Sequence, residues 1–140
     1  MLKKKFEEID ATADLGIIAY GEDLKNLFSN AAEGLMSLMA DTKGIAESES
    51  TAINITAKDR EGLLIKWLNE IIFLKDTRGF LGKRFDINYL NDNSLKADIH
   101  GEIYDPEKHE LLSGVKAATY HNLKIEKVRE TLQVRIIFDV

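Results

Sequence analysis

At 140 residues the chain suits one domain, large enough to bury about two-thirds of the surface its unfolded form exposes. Its 44% hydrophobic and 31% charged residues describe an ordinary globule and not a disordered chain; without cysteine, disulfides, thiolate nucleophiles, zinc ribbons and cysteine-held iron–sulfur clusters are excluded. A formal net charge of −5 argues against a direct, nonspecific grip on nucleic acid, and with no apolar run long enough for a bilayer and no apolar h-region at the start, a cytoplasmic protein without a membrane partner is expected.

Lys3, Lys4 and Lys5 form the only dense basic run and read as a solvated lead into the first strand. Residues 5–10 and 16–21 read as two short strands joined by Ala11-Thr12-Ala13-Asp14-Leu15, which places Asp14 in a connection. After Gly21, Leu24, Leu27, Phe28, Ala31, Leu35, Leu38 and Met39 recur at helical spacing, with Glu22 and Asp23 at the positive end of the helix dipole. Asp41-Thr42-Lys43-Gly44 supplies breakers. Glu47–Ala57 is expected as a strand with Ile53, Ile55 and Ala57 on one face. Asp59 is a good N-cap for a second helix running to about Lys75, its stripe formed by Leu63, Leu64, Trp67, Leu68, Ile71 and Ile72.

Gly79 and Gly82 predict a loosened connection before Phe85, Ile87 and Tyr89, which alternate with Asp86 and Asn88. Asn91-Asp92-Asn93-Ser94 is a turn by composition. Leu95, Ala97, Ile99, Gly101 and Ile103 then form one face of a strand, with Lys96, Asp98, His100, Glu102 and Tyr104 on the other. A turn at Asp105-Pro106 and a polar loop over residues 107–114 lead to two closing strands, near Ala117–Lys127 and Thr131–Asp139. The order ββαβα followed by about four strands predicts an α+β fold, a single domain over residues 1–140 with a largely antiparallel or mixed sheet carrying both amphipathic helices on one face.

No familiar catalytic or phosphate-binding motif survives inspection. Gly79-Phe80-Leu81-Gly82 lacks the spacing and the Lys-Ser/Thr pair of a phosphate cradle. His109-Glu110 has no second histidine at the zinc-protease spacing, and His100-Gly101-Glu102 lacks the cysteines a zinc deaminase needs. His121 has no nucleophile beside it, so each histidine reads as a surface or satisfied side chain. The carboxylates are more suggestive. Asp10, Asp14, Glu102, Asp139 and a Val140 carboxylate are oxygen donors expected where strands end or turn, and oxygen-only donors suit calcium or magnesium better than zinc. In the last strand Leu132, Val134, Ile136 and Phe138 alternate with Gln133, Arg135 and Asp139, with Ile137 the exception. Asp139 is expected beside a terminal carboxylate, and two anions that close repel unless a cation or backbone donors face them. A solvated acidic end and a metal or charge site both remain open.

Four stretches taken together carry a resemblance. They are Thr12-Ala13-Asp14-Leu15-Gly16, Leu63-Leu64-Ile65-Lys66-Trp67-Leu68-Asn69-Glu70, Val115-Lys116-Ala117-Ala118-Thr119-Tyr120-His121 and the final Asp139-Val140. In this order and spacing the chain resembles the archease family over essentially its whole length. The resemblance implies an accessory protein of tRNA splicing, not itself an enzyme, that activates an RtcB-type RNA ligase. It would promote guanylylation of the ligase and its multiple turnover, and broaden the nucleotides the ligase accepts. It also implies a divalent cation, expected to be calcium, held by the side chains of Asp14 and Asp139 and an oxygen of Val140. The Asp14 segment and the end of the last strand must then be neighbours.

One departure stands out: the family pattern commonly reads Asp-His-Thr-Ala-Asp, whereas this chain has Asp10-Ala11-Thr12-Ala13-Asp14, so any role of that histidine is missing. Asp10 would support the ligands without touching the metal. Lys116, expected within a strand, would touch the ligase or a nucleotide phosphate, or merely offset the acidic cluster. Trp67 is expected in the core. Asn69 and Glu70 fall off the apolar stripe, as a partner-facing patch or a solvated face. Two rival readings are a metal-dependent hydrolase of nucleotides or small phosphates, with Glu102 or His121 as base, and a protein-folding adaptor.

Overall fold

The structure, a computed structural model, describes residues 4–11 and 14–140, with Asp10 and Ala11 described by their backbone alone. Thr12 and Ala13 of the expected connection and Lys3 of the basic run lie outside the described residues, as does the Asp10 side chain. Eight strands and two helices follow in the order β1 (Phe6–Ala11), β2 (Asp14–Gly21), α1 (Leu24–Met39), β3 (Glu49–Thr56), α2 (Arg60–Arg78), β4 (Phe80–Leu90), β5 (Ser94–Ile103), β6 (Ala117–Ala118), β7 (Ile125–Val128) and β8 (Thr131–Asp139), with a 3₁₀ turn at Thr42–Gly44. The fold is α+β with antiparallel pairing throughout.

Both helices begin on an aspartate. The Asp23 carboxylate accepts the Asn26 N–H at 2.8 Å, and Asp59 accepts that of Gly62 at 2.7 Å, each satisfying a donor the helix itself cannot. α2 ends on Gly79 in the left-handed region, φ 66°, where its N–H closes on the carbonyls of Leu74 and Lys75. The expected loose connection at Gly79 and Gly82 is therefore absent. Gly79 is a helix cap, and β4 starts at the next residue with Gly82 inside it, beside a register shift that bends the strand.

Two sheets replace the single sheet expected. One has the order β1-β2-β8-β6, with β7 also pairing β8; the other has the order β3-β5-β4. Each helix touches both: α1 packs on β2 and β4, and α2 on β3, β4, β5 and β6. A one-sided apolar stripe would not suffice for that position. In α2, Ile65 and Leu74 are buried in addition to the six residues of the stripe, so more than one face meets protein.

Three other expectations change. Asp14 opens β2 instead of lying in a connection, and the strand expected over Ala117–Lys127 is split into β6 and β7 by a turn in which Asn122 has φ 53°. Asparagine tolerates that conformation, so a run that alternates like one strand can turn. Ile103 continues the inner-face pattern in sequence but is 40% exposed, because the strand ends there.

Trp67 sits where the layers meet. It is fully buried, its Nε1–H donates to the Phe28 carbonyl of α1 at 3.0 Å, and its ring meets that of Phe85 in β4 edge-on, centroids 6.1 Å apart. Trp67→Ala removes all three contacts and is expected to cost about 3–5 kcal/mol, measured as a fall in the urea midpoint at unchanged m-value.

Candidate metal and partner site at the end of the β2–β8 pair

The residues of interest are placed by strand register. β2 and β8 pair antiparallel with Leu15 opposite Phe138 and Ile17 opposite Ile136. One rung beyond Leu15 and Phe138 lie Asp14 on β2 and Asp139 on β8, so the first and last segments do meet. Residues opposite one another share a face, with Cβ atoms about 5 Å apart. Phe138, Ile136, Ile17 and Ala19 belong to the core shared with the helices. Asp14 and Asp139 are one residue out of step and therefore leave by the other face, the one turned away from the helices. β1 and β6 flank this rung, with Ala11 opposite Asp14 and Ala117 opposite Asp139.

Ile137, the residue that broke the alternation, lies on this same outer face and is only 5% exposed. A Cβ placed on Gly16, its partner on β2, would fall 2.9 Å from Ile9 and 3.0 Å from Ile137. The two isoleucines thus close over a glycine at which any side chain would crowd them. A small apolar floor adjoins the carboxylates. At the other end of the face the Tyr20 hydroxyl donates to Glu7 at 2.7 Å, and Glu7 also pairs with Lys4. Burial, then this bond to an anion, pushes the Tyr20 phenol up to about 12.

Among the described residues no hydrogen bond or ion pair engages the Asp14 or Asp139 carboxylate. Lys116 is exposed, makes no ion pair among the described residues, and stands just before β6 instead of within a strand as expected; its backbone N–H donates to the Asp139 carbonyl at 2.8 Å. Two carboxylates at neighbouring strand ends, without a basic partner among the described residues, are donor chemistry that suits a hard cation, and Val140 follows Asp139 with a further oxygen. Among the described residues no three Asp, Glu or His side chains converge on one point, so these two aspartates would need main-chain oxygens or water to complete a coordination shell.

The other candidates lie elsewhere or are already engaged. Glu102 lies in the other sheet, and its carboxylate accepts the Ala46 N–H at 2.8 Å, the Lys108 ammonium at 2.9 Å and the His109 Nε2–H at 2.6 Å. The histidine side chain is fully buried, and its Nδ1 accepts the Asp105 N–H at 2.9 Å, which assigns the proton to Nε2. Glu102 is therefore neither a ligand at this end nor a free base; the Ala46 N–H first, then Lys108 and His109, hold its carboxyl down to about 2. His121 is exposed in the β6–β7 turn, and His100 bonds Asp86 at 3.0 Å on the three-stranded sheet. Asn69 is half-buried, and its Oδ1 accepts the Ala118 N–H at 2.8 Å, tying α2 to β6. Glu70 is half-buried on the same helix. A cleft of about 100 Å³ between α1, β1 and β4, lined by Phe6, Met36, Phe85 and Lys83 among others, includes none of the candidate residues.

Comparison with known proteins comes to one answer. The sequence model of the Archease protein family (MTH1598/TM1083) matches residues 6–140. A protein archease of Sulfolobus acidocaldarius is 36% identical over 137 residues, covering 97% of this chain and 99% of its own. One from Methanosarcina acetivorans is 31% identical over 98% of this chain and 97% of its own length. Among solved structures, that of Methanobacterium thermoautotrophicum protein 1598 superposes with a TM-score of 0.81 at 37% identity, covering 97% and 99% of the two chains. A Thermotoga maritima protein described as an archease, possible chaperone, shares the fold with a TM-score of 0.69 at 24% identity, over 96% of each chain.

Two measurements probe this geometry. In chelator, Asp139→Asn is expected to raise stability by about 0.2–1 kcal/mol, because it removes one of two like charges at adjacent strand ends; a loss of stability would mean the carboxylate is satisfied within the chain. Glu102 ionises in the folded chain at about 2 against an ordinary 4.5, so its contribution is complete above pH 4.5 and is lost as pH falls towards 2. The gap in urea midpoint between wild type and Glu102→Gln is expected to be constant at neutral pH and to close over that window.

Proposed function

Because the chain belongs to the Archease protein family, we propose that it activates an RtcB-type tRNA-splicing RNA ligase by protein–protein contact. The supporting observation is the placement of Asp14 and Asp139 one residue beyond the Leu15–Phe138 pair, at adjacent strand ends and without a basic partner among the described residues. On this reading the two side chains and a Val140 oxygen hold a divalent cation, calcium by the hardness of an all-oxygen donor set. Bound there, it would supply charge neutralisation between the two carboxylates and no redox or acid–base chemistry.

The chain's own residues do the rest. β2 and β8 hold the aspartates in register, Ile9 and Ile137 pack over Gly16 to keep the face beside them firm, and Lys116 adds a cation near the acidic end. This end docks near the nucleotide site of the ligase, favours the geometry in which the ligase histidine takes up guanylate, and so promotes multiple turnover and a wider choice of nucleotide. RNA is met through the ligase, in keeping with the net charge of −5, and the work takes place in the cytoplasm. No helix among the described residues is long and apolar enough to cross a membrane. The protein has no catalytic cycle of its own on this reading. The hydrolase alternative loses support from Glu102, bound in its own network, and from His121, exposed on a turn.

Single-turnover guanylylation of the ligase tests the proposal. Wild type is expected to accelerate it, while Asp14→Ala and Asp139→Ala lose the stimulation together with calcium affinity, by on the order of 10–100-fold in calorimetry. A ligase rate unchanged by the wild-type protein overturns the activator reading. Variants that stimulate as well as wild type overturn the role of the acidic end.

A further inference from the structure

We propose that Asn69 is a positioning residue for the Asp139 end of β8, acting from α2 through β6. The inference rests on the acidic end being the functional one, and it assigns the element that holds that end in place. β6 is two residues long, Ala117 and Ala118, and it is all that flanks Asp139 on the side away from β2. Bonds at its margins extend its ladder with β8: the Lys116 N–H donates to the Asp139 carbonyl at 2.8 Å, and the Thr119 N–H and Oγ1 donate to the Ile137 carbonyl at 3.0 Å and 2.8 Å. The Ala118 N–H is not spent on β8. It goes to the Asn69 Oδ1 at 2.8 Å, and Ala118 is only 6% exposed, so without Asn69 the chain offers no evident replacement acceptor for a buried donor.

A two-residue strand cannot hold itself, and here a helix holds it. Two residues before Asn69, Trp67 is fixed to α1 through the Phe28 carbonyl, so the asparagine projects from a part of α2 that is locked in the core. Core rigidity thus passes from Trp67 to Asn69, to Ala118, to Lys116 and Thr119, and to the carbonyls of Asp139 and Ile137. A helix residue far from the acidic end in sequence thereby controls where one of its two aspartates stands. An asparagine off the apolar stripe thus has an internal partner for its amide oxygen.

The experiment compares Asn69→Leu, close in size but without an acceptor, with Asn69→Asp, which keeps the oxygen. Amide hydrogen exchange at Lys116 and Thr119 is expected to quicken on the order of tenfold in Asn69→Leu, with amides of the β2–β8 pair unchanged, and to recover in Asn69→Asp. Calcium affinity is expected to fall about tenfold in the leucine variant, one hydrogen bond's worth, and to return with the aspartate. Exchange at Lys116 and Thr119 that stays at the wild-type rate in Asn69→Leu overturns the proposal, as does an aspartate variant no better than the leucine one. If wild type itself does not bind calcium, the metal reading fails, and the exchange rates alone decide the positioning role. Should Asn69→Leu not fold, Thr119→Val removes the Oγ1 bond from the strand side. Faster exchange at Lys116 then supports the route through β6, and an unchanged rate overturns it.

Discussion

β8 is the strand on which the five-stranded sheet depends. It gives one edge to β2 over Leu132–Phe138 and shares the other between β7 at its start and β6 at its end. A strand paired on both edges has no freedom to slip, since a shift by one residue would send Val134, Ile136 and Phe138 to the outside and Arg135 and Asp139 into the core. The burial of Ile136 and Phe138 therefore fixes the face on which Asp139 must emerge. The same argument, applied to Ile17 and Ala19 on β2, fixes Asp14. That both aspartates emerge on the same face follows from hydrophobic register.

That register would be idle if the end of the sheet were loose, and here the second helix matters. α2 is buried on more than one face because it lies against elements of both sheets, and its single tryptophan bonds the first helix while meeting Phe85 of the three-stranded sheet edge-on. The two sheets share no strand, so they communicate through the helices. One polar side chain on that helix, Asn69, reaches the β6 edge at which an unpaired N–H would otherwise be buried. Apolar packing sets the position of the helix, and a hydrogen bond sets the position of the strand end relative to it.

Much of this was legible in the sequence wherever one physical signal dominated. Period-3.6 stripes located both helices, Asp59 announced the second N-cap, and alternation located β3, β5 and β8. What escaped were features decided by partners distant in the chain. Whether Gly79 loosens a connection or caps a helix depends on whether the residues after it can pair, and those after it pair with β5. The alternation of residues 117–127 is compatible with one strand until Asn122 turns left-handed. The division into two sheets left its trace only in Ile65 and Leu74, apolar residues off the main stripe of α2. At the acidic end, the oxygen donors were readable but their company was not: Glu102 looked equivalent to Asp14 and Asp139 until Ala46, Lys108 and His109 closed on it. No spacing rule links Glu102 to Ala46, 56 residues away.

The contrast between these carboxylates separates structure from function in this fold. Glu102 is met by a backbone N–H, an ammonium and a buried imidazole N–H, and its depressed ionisation records how well the chain satisfies it. A group in that state is spent, since any ligand would have to displace three donors. Asp14 and Asp139 stand instead at adjacent strand ends, on a face where no hydrogen bond or ion pair engages their carboxylates among the described residues, next to an apolar floor already closed over Gly16. Like charges on adjacent strands cost free energy in a sheet, and selection for stability alone would favour a neutral residue at one of them. Their placement is understandable if what compensates the repulsion comes from outside the chain. On the proposed reading a cation does this, and the acidic end would then be a compact, pre-organised feature that a partner could recognise without reordering it.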